Sequence, residues 1–158
     1  MPTSTDPAAD CPFCALLAAP AAEVHEVFRD GVAFAFLDHR PLFPGHLLVL
    51  PVRHTATLTD LAPALTGPFF RRVQLLTGAV QRATAAKGSF VAMNNRVSQS
   101  VPHLHVHVVP RNPKDGLRGF FWPRSRYPDE EAARHTAQLL REAVAAQLTE
   151  ADGASYLD

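Results

Sequence analysis

Residues 103–109 read His-Leu-His-Val-His-Val-Val, three histidines alternating with aliphatic side chains. Successive side chains of a strand point to opposite faces. The spacing therefore predicts a strand over 101–110, with His103, His105 and His107 on one face. The outer two would stand roughly 13 Å apart, at about 3.3 Å of rise per residue. A satisfied core position explains one histidine well and three poorly. Three on one face call for metal binding, phosphate chemistry or proton transfer. The His-x-His metal sites of cupin-like or carbonic-anhydrase-like proteins need a further ligand. Here His107 is followed by Val108-Val109-Pro110-Arg111, and the next carboxylate is Asp115. That disfavours an open catalytic metal site built from the three histidines themselves.

A chain of 158 residues suffices for one domain with its own core. An apolar content of 47% and a charged content of 19% fit an ordinary globular protein. The formal net charge is +0, with no basic patch to neutralise a nucleic-acid polymer. One or two phosphates of a small nucleotide need only local donors, so that ligand class stays open. No apolar run is long enough to span a membrane. Residues 1–10 lack a basic n-region and an apolar h-region, and read as a disordered tail. With two cysteines and no export signal, a cytoplasmic location is expected. The domain is expected over residues 11–150, with 151–158 as a C-terminal tail.

Glu23 to Arg29 reads as a strand, Asp30-Gly31 as a hairpin turn, and Val32 to Leu37 as the returning strand. A proline-bearing loop, Asp38 to Gly45, leads to a third strand over His46 to Val52. Leu61, Leu65, Phe69, Val73, Leu76, Val80 and Ala83 recur at helical spacing across Asp60 to Lys87. Gly67-Pro68 is expected to split that segment into two helices. Ser89 to Met93 reads as a strand, Asn94 to Gln99 as a polar loop, and 111–127 as irregular. Pro128 with Asp129, Glu130 and Glu131 opens a last helix, its acids at the positive end. Ala133, Ala137, Leu140 and Val144 supply its apolar stripe. The expected fold is α+β, an antiparallel sheet with a long helix and a C-terminal helix packed on it.

Cys11-Pro12-Phe13-Cys14 is a C-x-x-C near the N-terminus. A thioredoxin-like redox motif would follow a strand and open a helix, whereas this one follows a polar tail. Two unpaired buried thiols are the plain alternative. A structural zinc site needs two more N or S ligands. His54, just past the third strand, and His103, opening the histidine strand, could converge on the cysteines if those strands are neighbours. Spacing alone does not choose His54 over His46.

Taken together these motifs resemble the histidine-triad (HIT) superfamily of nucleotide hydrolases and transferases. The resemblance covers roughly residues 11–147. It is carried by C-P-F-C at 11–14, A-F-L-D at 35–38, P-G-H at 44–46, P-V-R-H at 51–54 and Q-S-V-P-H-L-H-V-H-V-V-P-R at 99–111. The resemblance implies that His105 is a nucleophile attacking the α-phosphorus of a nucleotide to form a covalent nucleotidyl-histidine. The backbone carbonyl of His103 would fix its tautomer. His107 would bind phosphate oxygens and assist the leaving group, and His46 matches a fourth histidine lining the site. Asp38 would accept the ribose hydroxyls. Gln99 and Ser100 match phosphate contacts, as does Asn94 or Asn95 depending on the register of the loop, and Phe36 and Leu37 would flank the base or belong to the plain core. The resemblance also assigns Cys11, Cys14, His54 and His103 as ligands of a structural zinc ion. No catalytic cofactor is implied beyond a divalent cation that could accompany the substrate. A purine nucleotide or nucleotide conjugate would be the ligand, and the protein would be a homodimer built on its long helix and a continued sheet.

The chain departs from the family pattern before the triad. Ser98 stands where many members carry Gly, and the loop over 94–97 is about two residues shorter than in common bacterial members. Arg96 adds a positive charge there, suited to a distal phosphate or to solvent. Phe120 to Arg124 form an apolar cluster with arginines around it, suited to packing or to capping the substrate. Three functions follow: a nucleoside phosphoramidase, a dinucleoside polyphosphate hydrolase, or a non-catalytic nucleotide-binding module.

Overall fold

A computed structural model describes residues 8–20, 23–117 and 126–149, with the side chains of 143–145 and 147–149 left aside. Residues 1–7 of the expected tail at 1–10, the expected tail at 151–158 and the Phe120 to Arg124 cluster lie outside the described residues. The chain divides into two compact units, residues 1–115 and 116–158.

The first unit is a five-stranded antiparallel sheet of order β1-β2-β3-β5-β4. Its strands are β1 (Glu26–Arg29), β2 (Ala33–Leu37), β3 (Leu47–Pro51), β4 (Gly88–Ala92) and β5 (Val106–Arg111). The β1–β2 turn is tied by Asp30, whose Oδ1 accepts the N–H groups of Val32 and Ala33 at 2.8 Å each. Alternation then sorts the buried side chains onto two faces. Ala33, Ala35, Leu47, Val49, Val106 and Val108 meet the helix α2 (Pro63–Thr84) through Phe69, Val73, Leu76 and Val80. Phe34, Phe36, Leu48 and Leu50 face the other way, toward Cys11 and Phe13 of the N-terminal segment. Both faces are covered, which is why β2 and β3 are almost continuously apolar.

Three expectations are corrected. The helix over 63–84 is not split at Gly67-Pro68, because Pro68 lies inside α2. A proline there removes one hydrogen bond, to the carbonyl of Ala64. Fully buried Phe69 and the core contacts beyond it carry the helix through. The histidine strand begins only at Val106, and residues 101–105 are bends and irregular backbone. By the register of Leu47 with Val108, Leu104 falls opposite Pro51, and neither Pro51 nor Pro102 has an N–H for the ladder. Leu104 donates instead to the carbonyl of Thr55 at 2.6 Å. Finally, the C-x-x-C opens a helix that its polar flank did not suggest, α1 (Pro12–Ala18), with Pro12 in the first turn.

The second unit holds α3 (Glu130–Thr149), with Glu130 and Glu131 in its first turn as expected. Asp129 caps it by accepting the N–H of Ala132 at 2.7 Å. Among the described residues, no helix is long and apolar enough to cross a membrane.

Gly45 fixes how the chain enters β3. Its φ is +95°, and a Cβ there would lie 2.7 Å from Cγ2 of Thr84. Gly45→Ala is therefore expected to destabilise the protein by about 1–3 kcal/mol. A thermal melt would show this as a midpoint several degrees lower; an unchanged midpoint would mean that the entry to His46 is not constrained as described.

Candidate functional site

One cross-strand row builds the floor of a cavity. Phe36 pairs with Leu48, and Leu48 pairs with His107. All three line a cavity of about 420 Å³, a size within the range of small-molecule sites. Pro12, Phe13 and Leu16 of α1 complete its apolar wall. Asp38, His39, Ser100, His105 and His107 supply its polar groups. The cavity thus has an apolar end suited to a flat ring and polar groups suited to sugar and phosphate.

The hydrogen-bond partners assign the ring tautomers. The Nδ1–H of His105 donates to the carbonyl of His103 at 2.7 Å, because a carbonyl can only accept. In the neutral ring this leaves Nε2 bare, with its lone pair available. Nδ1 of His46 accepts the N–H of Leu42 at 3.1 Å, so its Nε2–H donates to Nδ1 of His107 at 3.0 Å. His107 then carries its proton on Nε2. A bare nitrogen on His105 and a proton donor on His107 stand side by side, their ring centroids 5.1 Å apart. Burial, reinforced by His105 and His46, pushes His107 down to about 4 against a smaller opposing pull from Asp38. Burial also lowers His46, opposed by Asp38. Both rings are neutral near pH 7, as the relay requires.

Asp38 sits at the end of β2, its Oδ1 accepting the N–H of Arg40 at 2.9 Å and its Oδ2 lying 3.7 Å from Nδ1 of His46. Asp38, His46 and His107 also bring donor atoms within 4.8 Å of one another. Both ring nitrogens of His46 are already engaged, so this group is a hydrogen-bonded relay rather than a ready ligand set.

A second cluster lies beside the first. Donor atoms of Cys11, Cys14, His54 and His103 all fall within 4.8 Å of one another. Cys11 Sγ is 3.5 Å from His103 Nδ1, Cys14 Sγ is 3.6 Å from the same atom, and Cys14 Sγ is 3.4 Å from His54 Nδ1. A tetrahedral zinc ion with ordinary Zn–S and Zn–N lengths sets its S and N ligands about 3.6 Å apart. The His103 tautomer fits as well: its Nε2–H donates to the carbonyl of Pro51 at 2.9 Å, leaving Nδ1 bare toward the sulfurs. The four residues therefore fit zinc in donor chemistry, spacing and orientation, and the structure brings in His54 rather than His46.

The other sequence-flagged residues have different surroundings. Asn95 Oδ1 accepts the N–H of Leu58 at 2.7 Å. Gln99 spans the loop, with Nε2 donating to Ala56 and Oε1 accepting from the N–H of Arg96, each at 2.7 Å. Neither residue lines the cavity, nor does Leu37, whereas Ser100 and Phe36 do. Sequence reasoning missed Phe13, Leu16 and His39. The signal for Phe13 was its place between the two cysteines, which ties it to whatever they bind.

Comparison with known proteins matches the HIT domain family model over residues 20–114. An uncharacterised HIT-like protein of Mycobacterium tuberculosis is 37% identical over 142 residues, covering 87% of this chain and 94% of that protein. An adenylylsulfatase of Arabidopsis thaliana is 29% identical, covering 85% of this chain and 64% of that protein. An asymmetrical bis(5'-nucleosyl)-tetraphosphatase of Schizosaccharomyces pombe is 33% identical over 56% of this chain and 50% of its own length. A HIT family structure from Bacillus subtilis superposes with a TM-score of 0.74 at 26% identity, covering 84% of this chain and 96% of that one. A Zn-bound histidine triad protein from Mycobacterium smegmatis gives 0.63 at 32% identity, covering 88% and 99%. On its sequence, its sheet and its paired histidine clusters, this chain belongs to the HIT family.

Proposed function

We propose that the protein is a nucleotide hydrolase or transferase acting at the α-phosphorus of a nucleoside phosphoramidate or related nucleotide. The observation that carries this reading is the His105 ring, tied at Nδ1 to the carbonyl of His103 and bare at Nε2 in the cavity. His105 Nε2 forms a bond to the α-phosphorus as the bond to the leaving group breaks. His107, kept neutral by burial, donates its Nε2–H as a hydrogen bond to a phosphate or leaving-group atom, and the leaving group takes its proton from solvent. Water then displaces the histidine, its proton passing to solvent, and a nucleoside monophosphate is released. Asp38 accepts the ribose hydroxyls and Ser100 a phosphate contact, both from the cavity wall. The base lies against Leu16 and Phe36. Gln99 and Asn95 support the loop in this reading, holding Ser100 in place.

A dinucleoside polyphosphate substrate is the second reading, favoured by the likeness to the fission yeast tetraphosphatase. Mixing the protein with an adenosine phosphoramidate, or separately with diadenosine tetraphosphate, separates the two by rate. Intact mass spectrometry should show an adenylylated protein, and His105→Ala should lose at least about 1,000-fold of turnover, as befits a nucleophile. Turnover close to wild type in that variant would sink the covalent mechanism and leave a nucleotide-binding module.

Zinc at Cys11, Cys14, His54 and His103 is structural in this proposal, pinning α1 beside the triad, and a reducing cytoplasm keeps both thiols available. The purified protein should carry one zinc per chain. Cys14→Ser should lower that content and the melting temperature together; a metal-free protein with full stability would remove the assignment.

The homodimer is supported by β4, an edge strand whose Val91 is 41% exposed, and by Leu75 of α2, 60% exposed. Light scattering should give about twice 17.2 kDa, and a monomer at micromolar concentration would overturn it.

A further inference from the structure

Phe13 stands where three parts of the molecule meet. It lies between Cys11 and Cys14 and is 8% exposed. Its ring centroid is 5.1 Å from His105 at an interplanar angle of 84°, 6.1 Å from His103 at 62°, and 5.7 Å from Phe36 at 71°. One side chain thus touches the ring with the bare nitrogen, a ring of the cysteine–histidine cluster and the cavity wall.

The His105 ring needs such a contact. Its bond to the carbonyl of His103 orients the ring at Nδ1, but a single hydrogen bond tolerates some tens of degrees of swing in χ2 (roughly 30° off linear before it weakens much). The torsion itself offers little resistance, since χ2 of histidine is broad. Edge-on aromatic contacts are directional and restrict a plane. Phe13 gives one at 84° and His107 another at 68°, so the imidazole is flanked by two rings. Phe13 in turn sits on α1, a helix of seven residues whose N-cap, Cys11, has no side-chain capping bond. The cluster ties that helix down through Cys11 and Cys14, beside the packing of Leu16 and Leu17 and the bond from Arg29 to the carbonyl of Leu17 at 2.7 Å.

We propose that Phe13 is a positioning residue, fixing the plane of the His105 imidazole, and that the Cys11–Cys14–His54–His103 cluster holds it there through α1. The kinetic consequence rests on the nucleotidyl-histidine reading; the ring geometry does not. In-line attack tolerates little misplacement, about 100-fold in rate for an ångström.

The test uses the full-length, zinc-loaded chain. Imidazole 15N–1H spectra are recorded without substrate for wild type, Phe13→Leu, Phe13→Tyr and Cys14→Ser, and kcat and KM are measured with adenosine phosphoramidate. Phe13→Leu is expected to shift or broaden the His105 ring signals and to lower kcat about tenfold or more, with KM within about twofold. Phe13→Tyr keeps the ring and should restore most of the His105 spectrum. Cys14→Ser should perturb the same signals although it leaves residue 13 unchanged. If Phe13→Leu does not fold, the Cys14→Ser spectrum decides, and unaltered His105 signals there overturn the proposal. A raised KM with kcat and the His105 spectrum unchanged would reduce Phe13 to a contact for the ligand. Failure of the phosphoramidate reaction itself leaves the spectral arm intact, so the two readings fail separately.

Discussion

His103 holds the site together through two different parts of one residue. Its carbonyl accepts the Nδ1–H of His105, and its ring joins Cys11, Cys14 and His54 while donating to Pro51. The side chain is fully buried, so each of these partners matters: a buried polar group without one costs several kcal/mol. Satisfying the ring fixes the backbone of residue 103, and that backbone fixes the tautomer of the ring two residues on. The cysteine–histidine cluster and the cavity are therefore one construction sharing a residue.

That sharing depends on the strand stopping early. A regular strand through 103–107 would have put three imidazoles on one face, spread over roughly 13 Å. The ladder stops at Val106 because prolines at 51 and 102 remove donors, and the freed segment bends. His107 keeps its place in the row with Leu48 and Phe36. His103 turns to the cysteines, and His105 stands between the two, edge-on to Phe13 and to His107.

Much of this was legible in the residues. Alternating apolar runs located the strands, and helical spacing located α2. The resemblance supplied the cysteine–histidine ligand set that spacing alone had left open between His46 and His54. Three things were hidden, each for a physical reason. Pro68 looks like a helix breaker in sequence, but Phe69, Val73 and Leu76 on the core outweigh one missing hydrogen bond. Asn95 and Gln99 are polar and near the triad, and their amides also bond the backbone at Leu58, Ala56 and Arg96, partners that the sequence does not reveal. The departure at Ser98 is a conformational one: its φ is +59°, in the left-handed region where a glycine is at ease. Which of these demands a polar side chain answers is decided by contacts far away in sequence.

The two faces of the sheet divide the work. Toward α2 the contacts are aliphatic and aromatic, with Phe69 and Val106 wholly buried, and that face stabilises without any chemistry of its own. The other face buries Phe34 and Leu50 but also sets imidazoles, a carboxylate and a cavity among them. Such a face gains less from burial and costs more in desolvation, which lowers His46 and His107 alike. Imidazoles at close range are tolerable there because a ring proton of each has an assigned acceptor: Pro51 for His103, His103 for His105, His107 for His46. In this chain of donors the Nε2–H of His107 is left for the cavity. The last proton in the relay is thus placed by the same hydrogen bonds that satisfy the buried histidine rings.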